Sequence, residues 1–459
     1  MFTPPETNAK SYGFPPGVLG EIASFILAAS PRPVPEIALA GAIGLFAGIV
    51  GRSYNISGTG LNQYVLLVAK TGRGKEAMAA GVSKLMKVVK QSIPSATEFE
   101  GPTEIASPQA LIKWLGHSPS IYSIVGEFGL KLKEMSSPQA PIYTSGLKRI
   151  LLDLYQKSGE GSVLGAMAYS NKDENTAVVN SPAFTLVGES TPETLFEQLS
   201  EGLITNGLLP RFMVIEYNGP RTPLSQSHET AKPSVALQNK LAEVIAHSKS
   251  LQASGAVQRV AIDPAAITRF ATFNDYCDHQ INSESEGLVG CELWNRAHLK
   301  ALKLAALVAV GQNYIDPKIT GDIAMGAIEM TRDQTAGLCA RFRRGELGSL
   351  QNSEAKQTSE ILRVLAEYIT SPFEATEKYG GTREMHEKKI IPASYIQRRL
   401  VDTAAFRGKG ATRAINERLR EMLDADELRQ LPKNQMIENF GTGAKAFAVA
   451  NPQFILEYI

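Results

Sequence analysis

The segment from Val65 to Glu76, VLLVAKTGRGKE, constrains the fold of this chain more than any other stretch. An apolar run of strand composition leads into a glycine-containing turn, and a Gly-Lys pair then opens a helix. This order predicts a phosphate-binding loop between a buried strand and a helix. The backbone around Thr71, Gly72 and Gly74 would surround phosphate oxygens, and Lys75 would reach the β- and γ-phosphates. The alternative is a glycine turn that carries a solvated lysine.

The loop departs from the usual phosphate-loop pattern at two positions. Ala69 stands where a glycine is usual, and Glu76 stands where Ser or Thr usually holds Mg²⁺. A carboxylate is itself a good Mg²⁺ ligand, so Glu76 is a candidate replacement. The expected cofactors are therefore ATP and Mg²⁺, with the metal held by an altered set of side chains.

A second apolar strand is followed by a carboxylate. Glu127 comes directly after the run Ile121–Val125 and Gly126, where it would polarise the attacking water and help to hold the metal. The Asp that usually precedes such a residue is replaced by Gly126. Asp153 in RILLDLY is the rival acid, but its run fits an amphipathic helix better than a strand. The alternative for Glu127 is a solvated charge at a strand end.

Three more polar residues complete the expected catalytic set. Arg211 in GLLPRF opens a strand, where it is expected to project from a subunit edge toward a neighbour's nucleotide. Arg296 opens a long helix, from which it is expected to reach the nucleotide. Ser190, together with Thr191, follows the run FTLV and is a candidate for positioning the attacking water. The alternatives are a surface salt bridge for Arg211 and a solvated first-turn arginine for Arg296.

Periodicity along the chain predicts several domains. Strands and helices alternate over residues 31–234, which predicts a three-layer α/β core with a mainly parallel sheet, as in phosphate-loop NTPases. Residues 1–30 are expected to form an N-terminal arm, residues 235–342 a helical lid and residues 343–358 a linker. Residues 359–459 have three helical runs followed by strand-like runs, a pattern typical of a winged-helix domain.

Charge, cysteine content and hydropathy limit the possible partners. The 47 Lys and Arg residues are balanced by 46 Asp and Glu residues, so any basic surface must be local. The three cysteines are far apart and form no CxxC or Cys/His group, which argues against a zinc site or a disulfide framework. A reducing, cytoplasmic location fits best. The apolar run 37–50 is shorter than the roughly 20 residues of a membrane-spanning helix, so we expect a core helix and no membrane partner.

Five motifs occur in a characteristic order: YVLLVAKTGRGKE, SIVGEFG, PAFTLVGESTPETL, GLLPRF and RAHLKALKLAAL. In this order the chain resembles the helicase-like ATPases of phages, prophages and mobile elements. GLLPRF and RAHLKALKLA are also similar to the arginine-finger and lid motifs of minichromosome-maintenance-like AAA+ helicases. The resemblance covers roughly residues 30–340. It implies an AAA+ or RecA-like ATPase that forms a ring, expected to be hexameric, and moves along DNA.

The resemblance also gives a meaning to a predicted hairpin at residues 162–182. In such helicases, a hairpin at this place points into the ring channel and contacts DNA. Lys172 lies at its tip, in SNKDEN, where a lysine would attract phosphates without reading sequence. The neighbouring Asp173 and Glu174 favour the alternative, a solvated turn.

The tail of the chain has a local basic excess between residues 391 and 420. A winged helix with a basic recognition helix at Thr412–Leu423 would lie in a groove or along phosphates. The candidate DNA contacts are Arg398, Arg399, Arg413 and Arg418. The alternative is a solvated helical face that packs on the ATPase core.

Together these patterns favour an ATP-driven, ring-forming DNA helicase or translocase for replication of a phage or mobile element. Two other classes stay open. One is a nucleotide-binding helicase loader or switch with weak ATPase activity, which the altered magnesium positions favour. The other is a winged-helix initiator or repressor in which the ATPase is secondary.

Overall fold

The computed structural model describes residues 13–450, apart from 137–139, 169–174, 197–203, 205–206, 284–286, 344–352, 404, 407–409 and 425–426. It divides into two units, Met1–Cys339 and Ala340–Ile459. The helices of the first unit are α1 (Val18–Ala28), α2 (Pro35–Val50), α3 (Glu76–Ser92), α4 (Pro108–His117), α5 (Phe128–Ser136), α6 (Ile142–Gln156), α7 (Pro192–Phe196), α8 (Val235–Ser254), α9 (Pro264–Ile281), α10 (Gly287–Trp294), α11 (Ala297–Gln312) and α12 (Gly321–Arg343). Helix α12 ends just past the boundary of this unit. The strands of the first unit are β1 (Tyr54–Ile56), β2 (Thr59–Gly60), β3 (Tyr64–Ala69), β4 (Ser120–Val125), β5 (Val163–Leu164), β6 (Val179–Asn180), β7 (Ala183–Ser190), β8 (Phe212–Tyr217), β9 (Gln258–Arg259), β10 (Ala261–Ile262) and β11 (Lys318–Ile319).

Four parallel strands form the central sheet, in the order β4–β7–β3–β8. Every residue of β3 is buried, which explains its continuous apolar run. Tyr64 pairs with Phe212 at the amino ends of the strands, and Ala69 pairs with Tyr217 at the carboxyl ends. Parallel pairing therefore brings all four carboxyl ends to one side of the sheet. This architecture confirms the predicted α/β fold with a mainly parallel sheet.

Helix α2 is the predicted core helix, and it is buried from Ile37 to Val50. It packs on the central sheet, and two of its glycines permit the close approach. A Cβ at Gly44 would lie 2.2 Å from Val187 Cγ2, and one at Gly48 would lie 2.5 Å from Tyr122 Cβ. Among the described residues, no helix is both long and apolar enough to cross a membrane.

The expectation of an arm over residues 1–30 is wrong for its second half. Residues Val18–Ala28 form α1, in which Leu19, Ile22 and Ile26 are completely buried. Helix α1 packs against α2, α3 and α11. It was missed because Gly17 precedes it without any side-chain cap, so the usual start signal is absent from the sequence.

The predicted lid region, residues 235–342, contains helices α8 to α12 and belongs to the same unit as the sheet. Helix α11 is buried along most of its length and contacts α1, α2 and β1. The predicted linker 343–358 is shorter than expected, since α12 ends at Arg343 and the next helix begins at Ser353. Hydrophobic packing on the sheet side thus makes the lid helices part of the core.

The second unit combines helices with a small antiparallel sheet. Its helices are α13 (Ser353–Thr370), α14 (Phe373–Thr376), α15 (Arg383–Glu387), α16 (Ala393–Leu400), α17 (Ala411–Asp424) and α18 (Lys433–Phe440), and its strands are β12 (Ile390–Pro392), β13 (Leu428–Gln430) and β14 (Ala446–Val449). The strand order is β12–β14–β13, so the last strand is central. Its core includes Ile361, Leu365, Ile396, Ile415 and Phe447, all completely buried.

Candidate functional site

The loop between β3 and α3 turns at two glycines. The φ angles of Gly72 and Gly74 are +75° and +87°, in the left-handed region that favours glycine. A Cβ at Gly74 would also lie 3.0 Å from Arg32 Cβ and 3.1 Å from the Arg32 carbonyl oxygen. Thr71 and Gly72 are exposed at the tip of the loop. The glycines thus permit a turn that leaves the loop backbone open to a ligand.

Lys75 closes this loop with its side chain. Its Nζ donates to the carbonyl oxygen of Ala69 at 2.9 Å and to that of Ser190 at 3.1 Å. The amine therefore bridges the carboxyl ends of β3 and β7. Burial lowers the pKa of Lys75, and nearby carboxylates, first those of Glu189 and Glu76, oppose that shift. An ammonium has three donors, so one donor is left for a phosphate oxygen.

Glu189 is a site residue that the sequence analysis missed. It is half-buried on β7, directly before Ser190, and its register partner is Leu67 near the end of β3. Burial raises the pKa of Glu189, and the nearby Lys75 opposes this shift. Its position near the carboxyl end of a strand beside the loop was the available signal, because ligands of parallel sheets gather there.

Glu127 lies in the turn between β4 and α5 with its side chain exposed. Its φ angle is +50°, which is uncommon for a residue with a Cβ. Such a conformation costs of order 1–3 kcal/mol and clusters at functional sites. The Glu127 carbonyl oxygen accepts from the Leu130 N–H at 2.9 Å and so begins α5. Asp153, the rival acid, lies on α6 as predicted, 3.5 Å from Lys157.

Ser190 connects the lysine and the Glu127 turn. Its carbonyl oxygen accepts from Lys75, while its Oγ donates to the Thr191 carbonyl oxygen at 3.1 Å. A Cβ on Gly129, two residues after Glu127, would lie only 2.1 Å from Ser190 Oγ. The structure therefore brings Lys75, Ser190 and the Glu127 turn together at one end of the sheet.

Two of the sequence-predicted carboxylates, Glu76 and Glu127, lie near Lys75 at this end of the sheet. In the described part of the chain, no group of three or more His, Cys, Asp or Glu side chains is arranged to hold a metal ion. Mg²⁺ in nucleotide sites is usually held by one or two carboxylates together with the phosphates. Glu76 and Glu127 both lie close enough to influence Lys75, so they fit that arrangement.

Arg211 and Arg296 lie at the end of the sheet opposite the Lys75 loop. Arg211 directly precedes Phe212, so it lies at the amino end of β8, about 20 Å along the strand from the end at which the Lys75 loop lies. Its side chain is only 7% exposed in the single chain and donates to the Gly207 carbonyl oxygen, and its role at a neighbour's nucleotide stays a prediction. Arg296 lies beside it, so it does not reach a nucleotide at its own chain's loop. The reason is that β3 and β8 are parallel. A residue that precedes β8 therefore lies at the opposite end of the sheet from the loop that follows β3.

The candidate nucleic-acid contacts in the second unit are largely engaged within that unit. Arg399 pairs with Glu367, and Arg418 pairs with Glu421. Arg413 Nε lies 2.8 Å from Glu417 Oε1, and Arg398 Nη1 donates to the Lys378 carbonyl oxygen at 3.3 Å. These contacts neutralise part of the basic excess that the sequence indicates. The predicted hairpin is present as β5 and β6, but its tip residue Lys172 lies outside the described residues.

Neither a protein-family model nor a curated protein matches this chain. The function of the site is therefore inferred from its own geometry.

Proposed function

We propose that this chain binds ATP with Mg²⁺ at the loop around Lys75 and hydrolyses it. The observation that carries the proposal is the Lys75 amine, held by two backbone carbonyl groups at the carboxyl end of a parallel sheet. Loop N–H groups and the N-terminus of the 17-residue helix α3 supply further anion-binding groups. Bound Mg²⁺ would supply charge neutralisation at the phosphates.

The residues around Lys75 have separate proposed roles. Glu76 and Glu127 would hold the metal, and Glu127 would accept a proton from the attacking water. Ser190 would orient that water from the end of β7. Glu189 is an additional candidate for holding the metal or the water, because its carboxylate is half-buried beside Lys75.

The first test is a pair of lysine substitutions in the same loop. Lys75→Ala removes a charge-assisted hydrogen bond worth about 1.5–3 kcal/mol, so we expect roughly 10- to 150-fold weaker binding of a fluorescent ATP analogue. The matched control is Lys70→Ala, since Lys70 is exposed in the same turn. Equal affinities of Lys75→Ala and wild type would mean that the nucleotide site is elsewhere.

A second test separates binding from hydrolysis. Glu127→Gln keeps the shape of the turn but removes the carboxylate, so ATP should stay bound while phosphate release slows strongly. Asp153→Asn is the matched control, because Asp153 lies on α6 rather than at a strand end. If Asp153→Asn slows ATP hydrolysis and Glu127→Gln does not, Asp153 rather than Glu127 is the catalytic carboxylate.

We further propose that ATP hydrolysis drives a ring-forming DNA helicase or translocase. The order of the motifs supports this proposal, and so does the second unit, whose elements α13, β12, α16, α17, β13 and β14 follow the order of a winged-helix domain. DNA-stimulated ATP hydrolysis together with displacement of a labelled strand from a fork tests it. ATPase activity without strand displacement would contradict it.

A helicase loader or nucleotide-dependent switch is the second candidate function. Glu76 and Gly126 occupy positions where Mg²⁺ ligands are usual, and that change favours slow turnover. Tight ATP binding, slow hydrolysis and the absence of strand displacement would together select this function over the helicase.

A further inference from the structure

A cavity with a volume of about 260 Å³ lies among four helices of the first unit. Helices α1, α2, α11 and α12 all contribute aliphatic side chains to its lining. Among them are Leu19, Leu39, Ile43, Leu304, Val308 and Met330, all of them buried in the fold. Ligand-binding cavities in proteins are typically apolar in this way, with a few polar groups that orient the ligand.

The segment before α1 also lines the cavity, through Gly13 and Pro15. This segment packs closely on the helices behind it. A Cβ at Gly20 would lie 1.8 Å from the Pro15 carbonyl oxygen, and a Cβ at Gly17 would lie 2.3 Å from the Gly311 carbonyl oxygen. Such close backbone packing holds the segment in place, so the cavity is a built feature of the fold.

Two carboxylates lie at the rim of this apolar cavity. Asp322 and Glu329 both line it from α12, about two helical turns apart on one face of the helix. Both residues are exposed. Among the described residues, neither side chain forms an ion pair or a hydrogen bond. The rim of the cavity is therefore acidic, and its charges are not neutralised by the described part of the chain.

We propose that this cavity binds a small apolar molecule that carries one positive charge, such as an arylalkylammonium ion. An engineered apolar cavity of roughly 150 Å³ binds benzene, so by proportion about 260 Å³ suits an apolar group of about ten carbon atoms. The ammonium group would lie at the rim, near Asp322 and Glu329, where it stays partly in water. The site goes beyond the proposed ATPase, because it shares no residue with the Lys75 loop.

Three probes of the same shape test the preference for charge. They are 2-naphthylmethylamine, 2-naphthylmethanol and 2-naphthoate, which are positive, neutral and negative at pH 7. Calorimetry on the full-length protein should show that the amine binds about three- to tenfold more tightly than the alcohol, the gain expected from two partly solvated carboxylates. The naphthoate should bind most weakly. Asp322→Asn combined with Glu329→Gln should abolish the preference for the amine while the alcohol still binds.

A pair of glycine substitutions on α12 tests the location. Gly326 lines the cavity, and a Cβ there would meet no atom within 4 Å, so Gly326→Leu should fill part of the space without a clash. We expect it to weaken the binding of both amine and alcohol about tenfold or more. Gly337→Leu is the matched control, since Gly337 is exposed on the same helix, has equally open surroundings and does not line the cavity.

The alternative occupant is residues 1–12 of the chain itself, which precede Gly13 at the cavity. Binding of the amine to a chain that lacks residues 1–12, but not to the full-length chain, would assign the cavity to that segment and overturn the proposal. The proposal is also overturned if 2-naphthylmethylamine binds neither chain, if it binds no more tightly than the alcohol, or if Gly326→Leu and Gly337→Leu bind it equally.

Discussion

Replacing Lys303 by methionine is expected to make the stability of the first unit less dependent on pH. The Lys303 side chain is completely buried, and its Nζ lies 4.3 Å from the centre of the Tyr155 ring. Burial lowers the pKa of Lys303 from 10.5 to about 7. Above pH 7 the unfolded chain therefore binds one proton more than the folded chain, and folding becomes more favourable as the pH rises.

The size of the effect follows from the width of this pH window. Below pH 7 both states are protonated, so Lys303 adds no pH dependence there. Between pH 6 and pH 9 the folded state loses almost its whole proton over about two pH units, at 1.36 kcal/mol per unit. Wild type should thus gain about 3 kcal/mol of unfolding free energy relative to Lys303→Met. Lys303→Met also loses the hydrogen bond to Asn62. This loss changes the unfolding free energy at pH 6 and at pH 9 alike, so it does not alter the difference between them.

Urea unfolding followed by tryptophan fluorescence measures this difference, because Trp114 and Trp294 are the two tryptophans of the chain and both lie in the first unit. Lys300→Met gives an internal comparison, since a pKa of about 8 predicts a smaller gain of about 1 kcal/mol over the same range. Lys87→Met serves as the exposed control. If wild type and Lys303→Met keep the same stability difference at pH 6 and pH 9, the buried amine does not lose its proton between these two pH values.

Three further predictions concern the two ends of the sheet. Glu127→Gly should stabilise the protein by about 1 kcal/mol, because glycine tolerates a positive φ, while ATP hydrolysis is lost; urea unfolding and phosphate release measure both effects. Glu76→Ala should raise the Mg²⁺ concentration needed for half-maximal ATPase activity, and an unchanged magnesium titration would contradict its proposed role. Arg211→Ala protein should bind ATP but hydrolyse it slowly, and mixing it with Lys75→Ala protein should restore part of the rate, since an arginine supplied by a neighbour is worth about 10³–10⁵ in rate. Co-assembly without any recovery would exclude that role.

Local pattern was sufficient to predict the elements that lead into the loop. The run at β3 is apolar at every position because the strand is buried on both faces, and the glycines that follow have the positive φ that their residue type allows. Helix α2 was predictable from its length and its small residues. These features depend on neighbours in sequence, so one sequence contains enough information to predict them.

The arrangement of the charged residues depends on tertiary contacts, and it was predicted less well. Arg211 and Arg296 are 85 positions apart in sequence, and the Gln156 amide that they share comes from a third segment. The position of Glu189 near the end of an apolar run indicates a site only when β7 is known to pair with β3, and that pairing is a tertiary contact. Arg211 opens β8, and parallel pairing of β8 with β3 therefore places it at the end of the sheet opposite the loop that follows β3.

The two ends of the sheet differ in charge in a way that bears on assembly. At the carboxyl ends, Glu189, Glu76 and Glu127 lie near Lys75, and Lys70 and Arg73 belong to the same loop. At the amino ends, Arg211 and Arg296 have no carboxylate paired with them among the described residues. Head-to-tail contacts join unlike surfaces and close into rings, whereas two-fold contacts join like surfaces. The proposed ring is a head-to-tail assembly, and it would bring the Arg211 end of one sheet to the Lys75 loop of the next copy; recovery of activity on mixing Arg211→Ala with Lys75→Ala protein is the result that this arrangement requires.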